Sequence, residues 1–79
     1  MNVPRAASRR RVLKAGSIEF ADSVIDCTIR NISENGAALD VKSPLYIPDR
    51  LTLVMQTEQS KRACRVVWRK ERRIGVTFE

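Results

Sequence analysis

Two groups of residues in this chain have types and spacings suited to chemistry. The first is an arginine cluster near the N-terminus: Arg5, Arg9, Arg10 and Arg11, with Lys14 close behind. Guanidinium groups are rigid forks of donors that match phosphate oxygens, so such a cluster favours anions: phosphates, nucleic acid or an acidic membrane surface. A solvated terminal tail with no specific partner has the same composition. The second group is the polar stretch Asn31-Ile32-Ser33-Glu34-Asn35-Gly36, with apolar alternation on both sides. Here Asn31 and Ser33 can satisfy local backbone groups. Asn35-Gly36 is a strong hairpin dipeptide and predicts a type I′ turn. Residue types alone do not separate a ligand-facing turn from a merely structural one.

Catalysis has little to work with. There is no histidine, which removes the commonest general base and the commonest zinc ligand together. The nine carboxylates are scattered over outward and turn positions, and no strand or turn spacing makes an acid/base couple of any two. Serine and cysteine have no histidine to activate them. The only glycines are Gly16, Gly36 and Gly75, so a glycine-rich phosphate loop is absent. Cys27 and Cys64 are too few for a disulfide framework and lack metal-ligand spacing. The expectation is a binding module rather than an enzyme, with no catalytic residues, no metal and no cofactor.

The chain has 79 residues and a net charge of +6. That length makes one small domain, burying only about 60% of the surface its unfolded form exposes. Charge is unevenly placed. Residues 1–16 hold five basic side chains and no acid, whereas the rest holds ten basic against nine acidic. This describes a near-neutral body with a basic arm. No apolar run approaches the roughly 20 residues that span a bilayer, and no apolar core follows the N-terminal arginines as in a signal peptide. A cytoplasmic location is the default expectation.

The elements that must position these residues are strands. Met1 to Ser8 has no periodicity and contains Pro4, so residues 1–10 are expected to form a flexible arm. From Arg11 the chain is strand-like, with Val12, Ile18 and Phe20 as strand formers and a bulge or bend at Ala15-Gly16. Ala21-Asp22-Ser23 reads as a turn. Beyond it, Ile25, Cys27 and Ile29 alternate with polar residues, as do Leu39 and Val41 after the polar stretch. Prolines 44 and 48 argue against a central strand and against more than one helical turn in the next connection. Leu51, Leu53 and Met55, then Cys64, Val66 and Trp68, then Ile74, Val76 and Phe78 complete the inward set. On this phase Trp68 and Cys27 are core residues, and Arg65 and Arg69 lie on a solvated strand face. About six strands with short connections predict an all-β fold: a small six-stranded antiparallel barrel over residues 11–79, whose closure removes exposed edges.

An Arg-x-x-x-Arg arm, a strand pair, then Asp/Asn-x-Ser-x-x-Gly, all ahead of a small antiparallel barrel, resembles the PilZ domain family. Arg5-Ala6-Ala7-Ser8-Arg9 matches the first motif, Asn31 to Gly36 the second, and Arg69…Ile74-Gly75-Val76-Thr77-Phe78 the family's last barrel strand. Within the run Arg9-Arg10-Arg11, Arg10 can share the role of Arg9. PilZ domains are bacterial receptors for the second messenger cyclic diguanylate (c-di-GMP). The resemblance implies signal transduction through that ligand, with Arg5, Arg9, Arg10, Asn31, Ser33 and Gly36 as its site. Arginine can grip phosphate oxygens and the guanine O6/N7 pair in the same forked way, and can stack on a base. Asn31 and Ser33 can hydrogen-bond a guanine edge, and Gly36 allows a tight turn. Ligand binding would then order the arm and pass the signal to a downstream protein partner. Two other functions stay open at this point. One is a PilZ-like adaptor that contacts only proteins. The other is a small basic barrel on nucleic acid, which the near-neutral body and only four aromatic residues disfavour.

Overall fold

A computed structural model describes the backbone of residues 10–79 and the side chains of residues 13–79. Six strands follow in order: β1 (Arg10–Phe20), β2 (Ser23–Ile32), β3 (Gly36–Asp40), β4 (Arg50–Met55), β5 (Ser60–Lys70) and β6 (Arg73–Phe78). All pairings are antiparallel, and the spatial order β1-β2-β3-β6-β5-β4 closes into a barrel. The closing seam pairs Gly16–Glu19 of β1 with Thr52–Met55 of β4. The all-β barrel expected from alternation is therefore the observed architecture.

Period-two alternation places one face of each strand inside. Ile18, Ile29, Leu39, Leu53, Ile74 and Cys64 are fully buried, and Cys27, Val41, Ile47, Leu51, Met55 and Val76 are nearly so. Ile25, Val66 and Phe78 pack half-buried against them. Ile18 and Ile47 are core residues that the inward set lacked. Ile47 is buried although it lies in the proline-flanked 41–49 connection, where no strand phase applies. Arg69 explains how that connection is held. Its Nη1 donates to the carbonyls of Pro44 (2.8 Å) and Ile47 (2.7 Å), and its Nη2 to Asp49 Oδ1 (3.0 Å). Arg69 is thus a clamp on the loop rather than part of a solvated face.

Besides the shift in β2 that sets Ile29 opposite Leu39 and Asn31 opposite the adjacent Ala38, two departures from simple alternation come from bulges. The first irregularity in β1 falls between Arg11 and Lys14, not at Ala15-Gly16. Gly16 instead lies in the paired region, where an added Cβ would meet Ile29 Cδ1 at 3.0 Å and the Val54 carbonyl oxygen at 3.1 Å. The second is a register shift between Val66 and Trp68: Val66 pairs with Val76, and Trp68 with the adjacent Gly75. The extra residue, Val67, inverts the phase, because a bulge sets two residues of one strand against one of the other. Trp68 is therefore turned outward and 44% exposed, not buried in the core.

Both cysteines are buried and free. Burial raises the Cys27 thiol from an ordinary 9.0 to about 12, helped by the Asp26 charge and by Cys64. Burial likewise raises Cys64 to about 11. Unfolded thiols ionise first, so the folded state holds more protons above about pH 9. The stability of the neutral thiols is complete below that pH and is lost as pH rises toward the folded values. Urea midpoints measured from pH 8 to pH 11 should fall more steeply for the native chain than for Cys27→Ala; parallel curves would rule the thiol out.

Candidate functional site

The polar stretch forms the β2–β3 turn. Ser33 N–H donates to the Gly36 carbonyl at 2.9 Å. Ser33 Oγ accepts the N–H groups of Asn35 (3.2 Å) and Gly36 (3.3 Å), and its own proton faces the Gly36 carbonyl at 3.4 Å. The Asn35 carbonyl accepts the Phe78 N–H (2.7 Å) and the Thr77 hydroxyl (3.1 Å), which ties the turn to β6. Ile32 packs half-buried against the core and anchors the entry to the turn.

This is not a type I′ turn. That turn needs positive φ at both central residues, and neither Asn35 nor Gly36 has it. Gly36 is required for a different reason. A Cβ there would collide with the Val76 carbonyl oxygen and would reach Thr77 Cα at 3.2 Å. Glycine lets β3 and β6 approach at the mouth of the turn. Ser33 shapes the turn as well, through two accepted backbone bonds. The long, weak contact of its proton leaves that proton available to an incoming acceptor.

A single register row explains what lies beside the turn. Arg11 of β1 pairs with Asn31 of β2, Asn31 with Ala38 of β3, Ala38 with Gly75 of β6, and Gly75 with Trp68 of β5. Ala38 and Gly75 are small, so the row has a low floor between Asn31 and Trp68. The indole lies over Gly75, and a Cβ on that glycine would strike its Cε2 and Nε1 atoms. The result is a cleft of about 250 Å³, with the Asn31–Gly36 stretch on one side and Val67 and Trp68 on the other. Sequence phase missed Trp68. The signal that points to it is the Trp–Gly pairing, since an aromatic side chain often covers a cross-strand glycine.

Larger depressions lie at the opposite end of the barrel, along Lys42 to Ile47 and the β5–β6 turn. Among the described residues, none of the expected site residues lines them.

Arg30 Nη1 and Arg73 Nε share Asp40, at 3.1 and 2.7 Å. Partial burial alone would raise the Asp40 carboxyl, but the hydrogen bonds and charges of Arg73 and Arg30 outweigh it and hold the group below its ordinary value. These two arginines are therefore engaged already. Among the expected site residues, Asn31, Ser33 and Gly36 come together on this cleft. Arg5 and Arg9 lie outside the described residues. The backbone of Arg10 stands opposite Ile32, one position from the Arg11–Asn31 pair, so β1 begins at the edge of the cleft. The described residues contain no cluster of metal-ligating side chains and no helix long and apolar enough to cross a membrane.

The closed six-stranded barrel thus carries a polar turn, a shallow cleft and an aromatic wall side by side. A PilZ domain family model matches residues 4–79. The chain belongs to the PilZ domain family, a family of cyclic diguanylate receptor domains that also has members without that binding. No curated protein matches it.

Ser33→Ala separates the two tasks of that hydroxyl. Two turn N–H groups lose their acceptor, so the unfolding free energy should fall by about 1 kcal/mol. Denaturant titration measures this, and an unchanged midpoint would mean that the turn holds without the hydroxyl.

Proposed function

We propose that this domain is a cyclic diguanylate receptor that binds its ligand over the Ala38–Gly75 floor. Arg5 and Arg9, with Arg10 able to share the second role, grip phosphate and guanine from the arm. Asn31 reads a guanine edge, and Ser33 adds a donor while it holds the turn. Gly36 keeps β3 and β6 close enough to form the cleft wall, and the Trp68 indole offers a face on which a base can stack. Ordering of the arm on binding carries the signal to a downstream protein partner, within the cytoplasm. No catalytic step, metal or cofactor is involved.

The observation that carries this reading is the register of β1 against β2, which starts the arginine-bearing segment beside Asn31 and Ile32. Calorimetric titration with cyclic diguanylate tests it, with cyclic diadenylate as control. Binding of one or two ligands per chain is expected, with clear preference for the guanine compound. The chain has a single tryptophan, so the same titration can be followed by Trp68 fluorescence. Arg9→Ala should weaken binding and leave stability unchanged, whereas Ser33→Ala weakens both. No heat and no NMR shifts at high ligand concentration would exclude the proposal.

A further inference from the structure

The outer face of the cleft continues to two arginines that the reading above leaves unused. β5 exposes Arg65, Val67 and Trp68, and the last two wall the cleft. The register row through Gly36 runs to Thr77, then to Arg65 on β5 and Arg50 on β4. Thr77, Arg65 and Arg50 alternate with the inward residues Val76, Cys64 and Leu51, so all three point outward. With strands about 4.8 Å apart, Arg65 stands roughly 10 Å from Gly36.

Arg50 and Arg65 lie directly opposite each other, an arrangement that destabilises a sheet when the charges are alike. Glu79 offers Arg50 only an exposed contact, at 3.8 Å. Among the described residues no carboxylate pairs with Arg65. Its neighbours along the strand are engaged elsewhere: Arg62 stacks on Phe78 at 4.1 Å, and Arg69 clamps the 41–49 connection. Two arginines in facing register positions, in the row that runs from the cleft through Gly36 and Thr77, with Glu79 contacting Arg50 alone, make a site that an anion relieves. Arginine suits phosphate because its fork can donate two parallel bonds.

We propose that Arg65, backed by Arg50, is a phosphate subsite on the β5 side of the cleft, across from the arm. The inference rests on the cyclic diguanylate reading. That ligand carries two phosphodiester charges, and β1, which follows the arm in the chain, borders the cleft on the opposite, Asn31 side. The unfavourable Arg50–Arg65 pair is then a feature retained for binding at the expense of the empty domain's stability.

The test uses the full chain and Arg65→Gln. Cyclic diguanylate affinity should fall about tenfold, the usual size of one charge-assisted contact. Stability without ligand should stay the same or rise, because the facing repulsion is gone. Arg65→Lys should restore part of the affinity. A purely structural arginine would instead lose stability and affinity together. Unchanged affinity in Arg65→Gln overturns the subsite and leaves the receptor reading intact. If the native chain does not bind cyclic diguanylate, titration with inorganic pyrophosphate followed by NMR decides separately. Shifts centred on the Arg50, Arg65 and Thr77 amides support the subsite. Shifts elsewhere, or none, overturn it.

Discussion

Gly36→Ala is expected to cost the domain about 3 kcal/mol, the upper range for a methyl group forced into a packed site. A domain of this size has roughly 4–12 kcal/mol to lose. The added Cβ falls on the Val76 carbonyl oxygen, and both sides of that contact are backbone held by cross-strand pairing. Neither can rotate away, so β3 and β6 must separate at the mouth of the turn. The Thr77 hydroxyl and Phe78 N–H would then lose their hold on the Asn35 carbonyl. Denaturant unfolding of Gly36→Ala should show a large drop in midpoint. Gly75→Ala is the informative contrast, because its collision is with the Trp68 indole, a side chain that can swing outward. It should cost less stability but change the tryptophan emission and weaken ligand binding. Equal losses in both variants would show that the indole is as fixed as the backbone.

Removal of residues 1–9 should abolish most cyclic diguanylate binding, by about a hundredfold or more, while leaving the unfolding midpoint almost unchanged. Two arginine contacts at about 1.5–3 kcal/mol each account for a loss of that size. Stability should survive because, among the described residues, the buried hydrophobic core lies between Ile18 and Val76 and β1 starts at Arg10. The Asn31–Gly36 turn would remain, with Arg10 and Arg11 still paired beside it in β1, while Arg30 and Arg73 are occupied by Asp40. Binding of the shortened chain at native affinity would place the phosphate grip in the barrel instead. The intact chain should also bind more weakly as salt is raised, since exposed charges are screened over about 10 Å at 0.1 M.

Much of this architecture was legible in the residues themselves. Strand number, connection positions and most of the core follow from local alternation, because successive side chains of a strand face opposite sides. Cys27 and Cys64 read as buried on that basis and are buried. The polar stretch also stood out locally, as an interruption between two alternating runs. Where the reading failed, the deciding contact was between residues distant in sequence. Ile47 is buried because Arg69, 22 positions away, folds the proline-flanked connection onto the barrel. Gly36 looked like a turn glycine, but its constraint comes from Val76 on a neighbouring strand.

The family motifs, the inward set and the separation of a basic segment from a near-neutral body are properties of residue type and spacing, so the sequence by itself determined them. Tertiary structure alone decided how the candidate site is built. A bulge changes strand phase only through the pairing of β5 with β6, and that pairing turned Trp68 from an expected core residue into a cleft wall. Strand pairing set Asn31, Ala38, Gly75 and Trp68 in one row, and brought Arg65 opposite Arg50. Alternation is a local rule with a period of two, whereas register is fixed by partners that the local pattern does not name.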